Sequence, residues 1–246
     1  LIQTFFTREK TQIMAERPAF IPSESLEFLV ETKFVNFEWF PGFAASQKQK
    51  SVVSLHENIQ SSLNIQEILE ISSKSLKPEG VDASAFNLMI ETKKYNRRFS
   101  VECAFQASKV FIGGGPYVDL LETTSREAKK DERLKTSGRL KEFRFYKDFW
   151  PLEPKTLFYD WLYINALHRN QALAERLLRY ECFTDIEFNH ERSINCQAYS
   201  AALYVSLARR DLLLEALSSN EAYMTIITSH KVDGAYDSYS RSPNLL

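Results

Sequence analysis

Glu102, Gln106 and Lys109 stand at i, i+4 and i+7 in the stretch SVECAFQASKVF. On a helix that spacing places all three on one face, while Val101, Ala104, Phe105 and Ser108 turn inward. A Glu and a Lys on one helix are ordinarily a solvated face, and a Glu near a helix start is an ordinary partner of the helix dipole. Read as chemistry, Glu102 is an acid/base and Lys109 an anion binder or an amine nucleophile.

Other groupings could share such a site. Gly113, Gly114 and Gly115 precede Pro116 and Tyr117; consecutive glycines are either a helix stop or a place where backbone N–H groups approach a phosphate. The segment EISSKSLKPEG, with Ser73, Lys74 and Ser75, reads as an anion site or as an ordinary polar loop. Residues 126–147 carry nine basic side chains, beginning with Arg126, against four acids, with Phe143, Phe145 and Tyr146 interleaved. A charge run is commonly a solvated face, but this local excess with stacking rings also suits nucleic acid. FTDIEFNHERSINCQA gathers Asp185, Glu187, Asn189, Arg192, Ser193 and Asn195, which fits either capping and turn chemistry or a binding loop. His56, His168, His190 and His230 are scattered with no metal-ligand spacing, so no metal is expected. There is no GxGxxG and no P-loop.

The elements that must position these groups are legible in outline. The chain has 246 residues, 44% hydrophobic and 26% charged, with 31 basic against 32 acidic side chains. That is enough length for a core without disulfides, and global charge steers nothing onto nucleic acid. No apolar run nears the ~18–20 residues of a membrane span. Cys103, Cys182 and Cys196 form no CxxC, and no signal peptide opens the chain, which together suit a reducing cytoplasm. Strands are expected within residues 26–40, 68–72 and 85–91, with the segment 94–101 turning back from the last. Ser100 should cap a helix from Val101 to about Phe111 that the glycines stop. Leu157, Trp161, Ile164 and Leu167 mark another helix, and Asn170 caps a following one. Further helices are expected over 196–208 and 211–218. The expected fold is therefore α+β, predominantly helical, with a small sheet. Residues 1–14 read as a flexible N-terminal extension, with Met14 a candidate start, residues 15–228 as one domain, and residues 229–246 as a flexible tail.

Taken together, these stretches resemble a known family. SAFN (84–87) followed by FSVECAFQASK (99–109) is similar to the signature of the NADAR superfamily (NAD- and ADP-ribose-associated), and SREAKKD, Trp150 and ALHRNQALAERLL follow in its order. ISSKS, SAFNL, AFQASKVFIGGGPYVDL, SGRL, WPLEP, FYDWLY, FTDIEFN and SINCQA resemble one branch, the NADAR antitoxins encoded beside DarT-type toxins, over residues 15–225.

The resemblance implies a single NADAR/YbiA-like domain and an N-glycosidase that needs no cofactor. The toxin of such a pair attaches ADP-ribose to guanine in DNA; the antitoxin removes it, releasing ADP-ribose, and the toxin itself is a possible binding partner. YbiA-like members cleave an amine-linked ribose phosphate instead. Both substrates carry ribose on an exocyclic amine. A carboxylic acid can open that ring to an imine, and a lysine can then exchange with the leaving amine; the competing route is oxocarbenium cleavage with an activated water. By the resemblance Glu102 is the acid/base, and Lys109 or Lys74 the amine. Gly113, Gly114 and Gly115 would meet the diphosphate, and Phe86 or Trp150 would lie on a base or ribose. Ser73, Ser75, Asn87, Gln106, Tyr117 and Arg126 complete the binding set. The family's late acidic position falls near Arg192 with no WG after it, so Asp185, Glu187 or Asn195 would substitute. The alternatives are a non-catalytic toxin-binding antitoxin, a reader of ADP-ribose, and an N-glycosidase of a small ribosylamine nucleotide.

Overall fold

A computed structural model describes residues 12–92, 96–189 and 193–233. Strands β1 (Met14–Pro22) and β2 (Val30–Glu38) pair antiparallel, from Met14 opposite Glu38 to Pro22 opposite Val30. Helix α1 (Ala45–Leu63), strand β3 (Ile68–Glu70) and short helix α2 (Pro78–Asp82) follow. Next come the hairpin β4 (Met89–Thr92) and β5 (Arg97–Ser100), helix α3 (Val101–Ala107) and strand β6 (Lys109–Phe111). After a 3-10 turn over Val118–Glu122, helices α4 (Ser125–Lys130) and α5 (Arg133–Thr136) lead into strands β7 (Leu140–Phe145) and β8 (Asp148–Trp150). Helices α6 (Leu157–Arg169) and α7 (Gln171–Leu177), strand β9 (Cys182–Thr184), and helices α8 (Gln197–Arg209), α9 (Leu213–Ala216) and α10 (Asn220–Ser229) complete the order. The fold is α+β and mainly helical.

Sheet alternation organises the core. The main sheet runs β2, β1, β9, β3, with β9 parallel to β3 and antiparallel to β1. Successive strand residues point to opposite faces. Ala19, Ile68 and Cys182 pack with Val52, Leu55 and Ile59 of α1. Their neighbours Phe20, Leu69 and Phe183 join the larger core with α3, α6 and α8. Each such Phe or Leu contributes about 1.5–3 kcal/mol by leaving water. Helix α3 is buried along its whole length, which accounts for its near absence of a solvated face.

Several expectations hold. Ser100 caps α3 by accepting from the Cys103 N–H at 3.1 Å, and the Asn170 side chain accepts from Leu173 N–H at the start of α7. Residues 97–100 turn back on 89–92; residues 93–95 lie outside the described residues.

Other expectations are corrected. The helix expected to run to Phe111 ends at Ala107. Lys109–Phe111 instead pair with β7, Lys109 opposite Phe143. Val110 and Phe111 favour strand, and a remote partner outweighs helix continuation. The basic run 126–147 divides into α4, α5 and β7. β1, with Pro18 and Pro22, carries no clear strand signal, yet it lies inside the main sheet; β9 meets it only at Phe20, so a missing proline donor is tolerated. Lys231 bridges Phe28, and the Asp233 carboxylate accepts from Thr32 N–H at 2.7 Å. Residues 1–11 and 234–246, in the expected extension and tail, lie outside the described residues. Among the described residues no helix is long and apolar enough to cross a membrane.

Candidate active site

Helix α3 delivers Glu102 into a cleft of about 820 Å³. The segment before β4 is held to α3 by backbone bonds, Glu102 N–H to Ala85 O at 2.9 Å and Val101 N–H to Leu88 O at 2.9 Å. The Ser100 hydroxyl meets Ser125 Oγ at 2.7 Å, and Ser125 Oγ donates to Phe86 O at 2.8 Å. Phe86, Glu102 and the basic helix α4 are thereby stapled around one opening. Glu102 is 5% exposed, accepts from Gln106 Nε2 at 2.9 Å, and has Lys129 Nζ 3.9 Å from Oε1.

Lys109 enters the same cleft from β6, immediately after the helix. Its Nζ sits 4.8 Å from the Phe105 ring centre. Phe105 in turn packs on Phe143 at 5.3 Å and Tyr159 at 5.1 Å, and all three rings line the cleft. Burial lowers the Lys109 amine to about 8; Glu102 opposes that shift and Lys129 adds to it. Lys74 lies on another wall, where its Nζ donates to Ser73 Oγ at 2.7 Å and stands 4.0 Å from Glu187.

The loop after β9 forms the wall that carries Asp185. Its carboxylate accepts from Glu187 N–H at 3.0 Å, Phe188 N–H at 3.2 Å and Gln197 Nε2 at 2.9 Å. Gln197 Oε1 accepts from Ala85 N–H at 2.7 Å, tying this wall to the segment that holds α3. Burial, then Glu70, pushes the Asp185 carboxyl up to about 8 against the Gln197 and Glu187 donors. Glu70 itself is fully enclosed and raised by burial. It accepts from Ser72 Oγ at 2.7 Å, Ile186 N–H at 2.8 Å and Thr184 Oγ1 at 2.6 Å. Thr184 spends its proton there, so its 2.9 Å contact with His56 Nε2 is an imidazole N–H donating to the hydroxyl. Burial holds that imidazole neutral, its pKa lowered to about 4.

Glu70 thus clamps the Lys74 loop to the Asp185 loop. Glu70→Ala is expected to lower unfolding free energy by about 3 kcal/mol or more, since several buried donors lose their acceptor. Urea denaturation checks this, and a loss below ~1 kcal/mol would contradict the clamp.

The cleft gathers Glu102, Lys109, Lys74, Ser73, Phe86, Asn87, Gln106, Arg126, Asp185, Glu187 and Asn195 of the expected residues. Six basic side chains line it (Lys74, Lys109, Arg126, Lys129, Lys130 and Lys155) against three acidic ones. The surplus suits a ligand with more than one negative charge. Ser84 Oγ, Gln106 Oε1 and Asn195 Oδ1 are buried on its walls with no hydrogen-bond partner among the described residues. Sequence reading missed Ser84, Gln197, Tyr159, Lys155 and the Glu70 clamp. The doublet Lys129-Lys130 was visible only as charge.

Six expected residues lie elsewhere. Trp150 is 1% exposed, packed against Trp161 at 4.8 Å and Phe158 at 5.7 Å, so it is core and not a ligand stacker. Ser75 is buried, its Oγ accepting from Lys77 N–H at 3.2 Å. The Tyr117 hydroxyl bonds to Ser137 Oγ. Gly113, Gly114 and Gly115 do not line the cleft. Gly115 takes φ +90°, and a Cβ there would run into the Lys109 carbonyl. The glycines therefore let the chain pass behind β6; they are not seen against the cleft as a phosphate cradle. Gly115→Ala is expected to lower Tm by about 4–8 °C, from roughly 2 kcal/mol of positive-φ strain and crowding at a site that admits no side chain. A thermal melt checks it, and an unchanged Tm would refute the crowding.

A search of curated proteins found no match to the chain. The family model described as the DarT1-associated NADAR antitoxin matches residues 15–237, almost all of the chain and every wall of the cleft. On that match, the chain belongs to the DarT1-associated NADAR antitoxin family.

Proposed function

We propose that this antitoxin is an N-glycosidase that removes ADP-ribose from guanine bases in DNA and so reverses its toxin. The observation that carries the reading is the pairing, in one cationic cleft, of the buried Glu102 with the desolvated amine of Lys109. Protonation by Glu102 opens the ribose to an imine at its anomeric carbon. The neutral Lys109 amine adds to that carbon, the guanine amine leaves with a proton, and water then hydrolyses the lysine imine to release ADP-ribose. Lys74 is engaged with Ser73 and Glu187 and better suits charge binding than nucleophilic attack. Arg126, Lys129 and Lys130 suit the diphosphate.

The deciding experiment is a time course on an oligonucleotide carrying one ADP-ribosylated guanine. The expected products are free ADP-ribose and unmodified guanine in equal amounts. No release at any protein concentration would overturn the reading and leave direct toxin binding as the antitoxin mechanism.

A further inference from the structure

The cleft has the size of a site for one small-molecule ligand. If it takes the ADP-ribose, the nucleotides flanking the modified guanine must lie outside it. One surface beside the cleft carries both aromatic rings and positive charge. The loop joining β2 to α1 reads Trp39-Phe40-Pro41-Gly42-Phe43, and Phe43 at its tip is fully exposed. Lys48 Nζ stands 4.2 Å from the Trp39 ring centre, and the Arg17 guanidinium 5.4 Å from it. Lys48 lies in the first turn of α1, and α1 reaches the cleft wall through His56, whose Nε2 is 2.9 Å from Thr184 Oγ1 beside Asp185; the partly desolvated Lys48 amine feels Glu187 of that wall. Two cations, Lys48 and Arg17, thus stand at one aromatic ring, where a phosphate would find positive charge beside a stacking platform. A groove that Phe40 also lines holds Glu38 and Glu57 against one cation, Lys50, so it suits a nucleic-acid backbone less well.

We propose that the 39–43 loop with Lys48 and Arg17 holds the single strand flanking the modified guanine, a base stacking on the rings and phosphates meeting the cations. Stacking platforms interleaved with cations are how single strands are held without reading their sequence. The proposal rests on the glycosidase reading above.

The test compares two substrates: a single-stranded 15-mer with one ADP-ribosylated guanine, and the ADP-ribosylated deoxyguanosine nucleoside alone. Trp39→Ala is expected to raise KM for the 15-mer about 10-fold with kcat unchanged, and to leave nucleoside turnover unchanged. Phe43→Ala removes a ring that packs on nothing, so a smaller rise of about 3-fold is expected with no folding risk. Lys48→Ala should flatten the salt dependence of KM by a log–log slope of about 0.7. Equal kcat/KM on both substrates, with all variants like wild type, would overturn this surface and leave the glycosidase standing. Variants that leave the 15-mer unaffected but lose capture of the DarT1 toxin would make the loop a protein-docking site, which also overturns the proposal. Hydrolysis of neither substrate by wild type removes the glycosidase reading and this surface with it.

Discussion

Glu102→Gln is expected to lower the rate of ADP-ribose release from a guanine-ADP-ribosylated oligonucleotide by about 10²–10⁴-fold, the range for loss of a positioned acid/base. The substitution is close to isosteric. Gln106 Nε2 can still donate to the new side-chain oxygen, and the neutral amide loses only its contact with Lys129. Stability should therefore stay near wild type, and the loss should fall on kcat. Glu102 is 5% exposed at the cleft wall, so bulk water is a poor substitute for its proton. Single-turnover kinetics with excess protein separates this from weaker binding, and wild-type rates in the variant would remove Glu102 from the chemistry.

Lys109 carries the second large effect. Lys109→Met keeps the apolar stem over Phe105 but removes the amine, and release should fall by about 10³-fold or more if that amine forms the covalent intermediate. An amine with a pKa of about 8 is neutral in roughly a tenth of molecules at pH 7. At the ordinary lysine value of 10.5 fewer than about one in a thousand would be. The sign is therefore fixed. Lowering the pKa enlarges the nucleophilic fraction, so the amine-addition step, read as the borohydride-trapped fraction, should rise with pH and level off above about 8, while the step that needs the Glu102 proton gains nothing from the rise. Borohydride added during turnover should reduce the imine and leave ADP-ribose attached at Lys109, as read by peptide mass. Lys74→Met should still be trapped at Lys109. Full activity in Lys109→Met, with no adduct, would instead give the reaction to direct water attack assisted by Glu102.

What the sequence determined by itself was whatever closes within a turn or two of chain. Ser100 as the cap of α3 and Asn170 as the cap of α7 are local bonds. The stripes that became α6 and α8, and the patterns that became β2 and β3, are local, and the α+β class follows from them together. Glu102 was legible as a residue type at a spacing and the basic side chains of α4 as part of a charge run, and the resemblance of the surrounding stretches identified the family.

Tertiary structure alone decided the rest, because the partners come from far along the chain. β9 is a short strand that exists by pairing Cys182 with Ile68 of the expected strand β3. Lys109 left the expected helix face because Phe143 offered a strand partner, and that exchange also placed its amine over an aromatic floor. The resemblance put Trp150 against a base or ribose, yet Trp161 and Phe158 enclose it. The glycine triplet looked like a phosphate cradle, yet Gly115 is required behind Lys109. Glu70 gave no local signal, and its role is set by Thr184 and Ile186. Burial, and with it the lowered pKa of Lys109 and the raised pKa of Asp185, is a property of what surrounds a group. Spacing along the chain does not encode it.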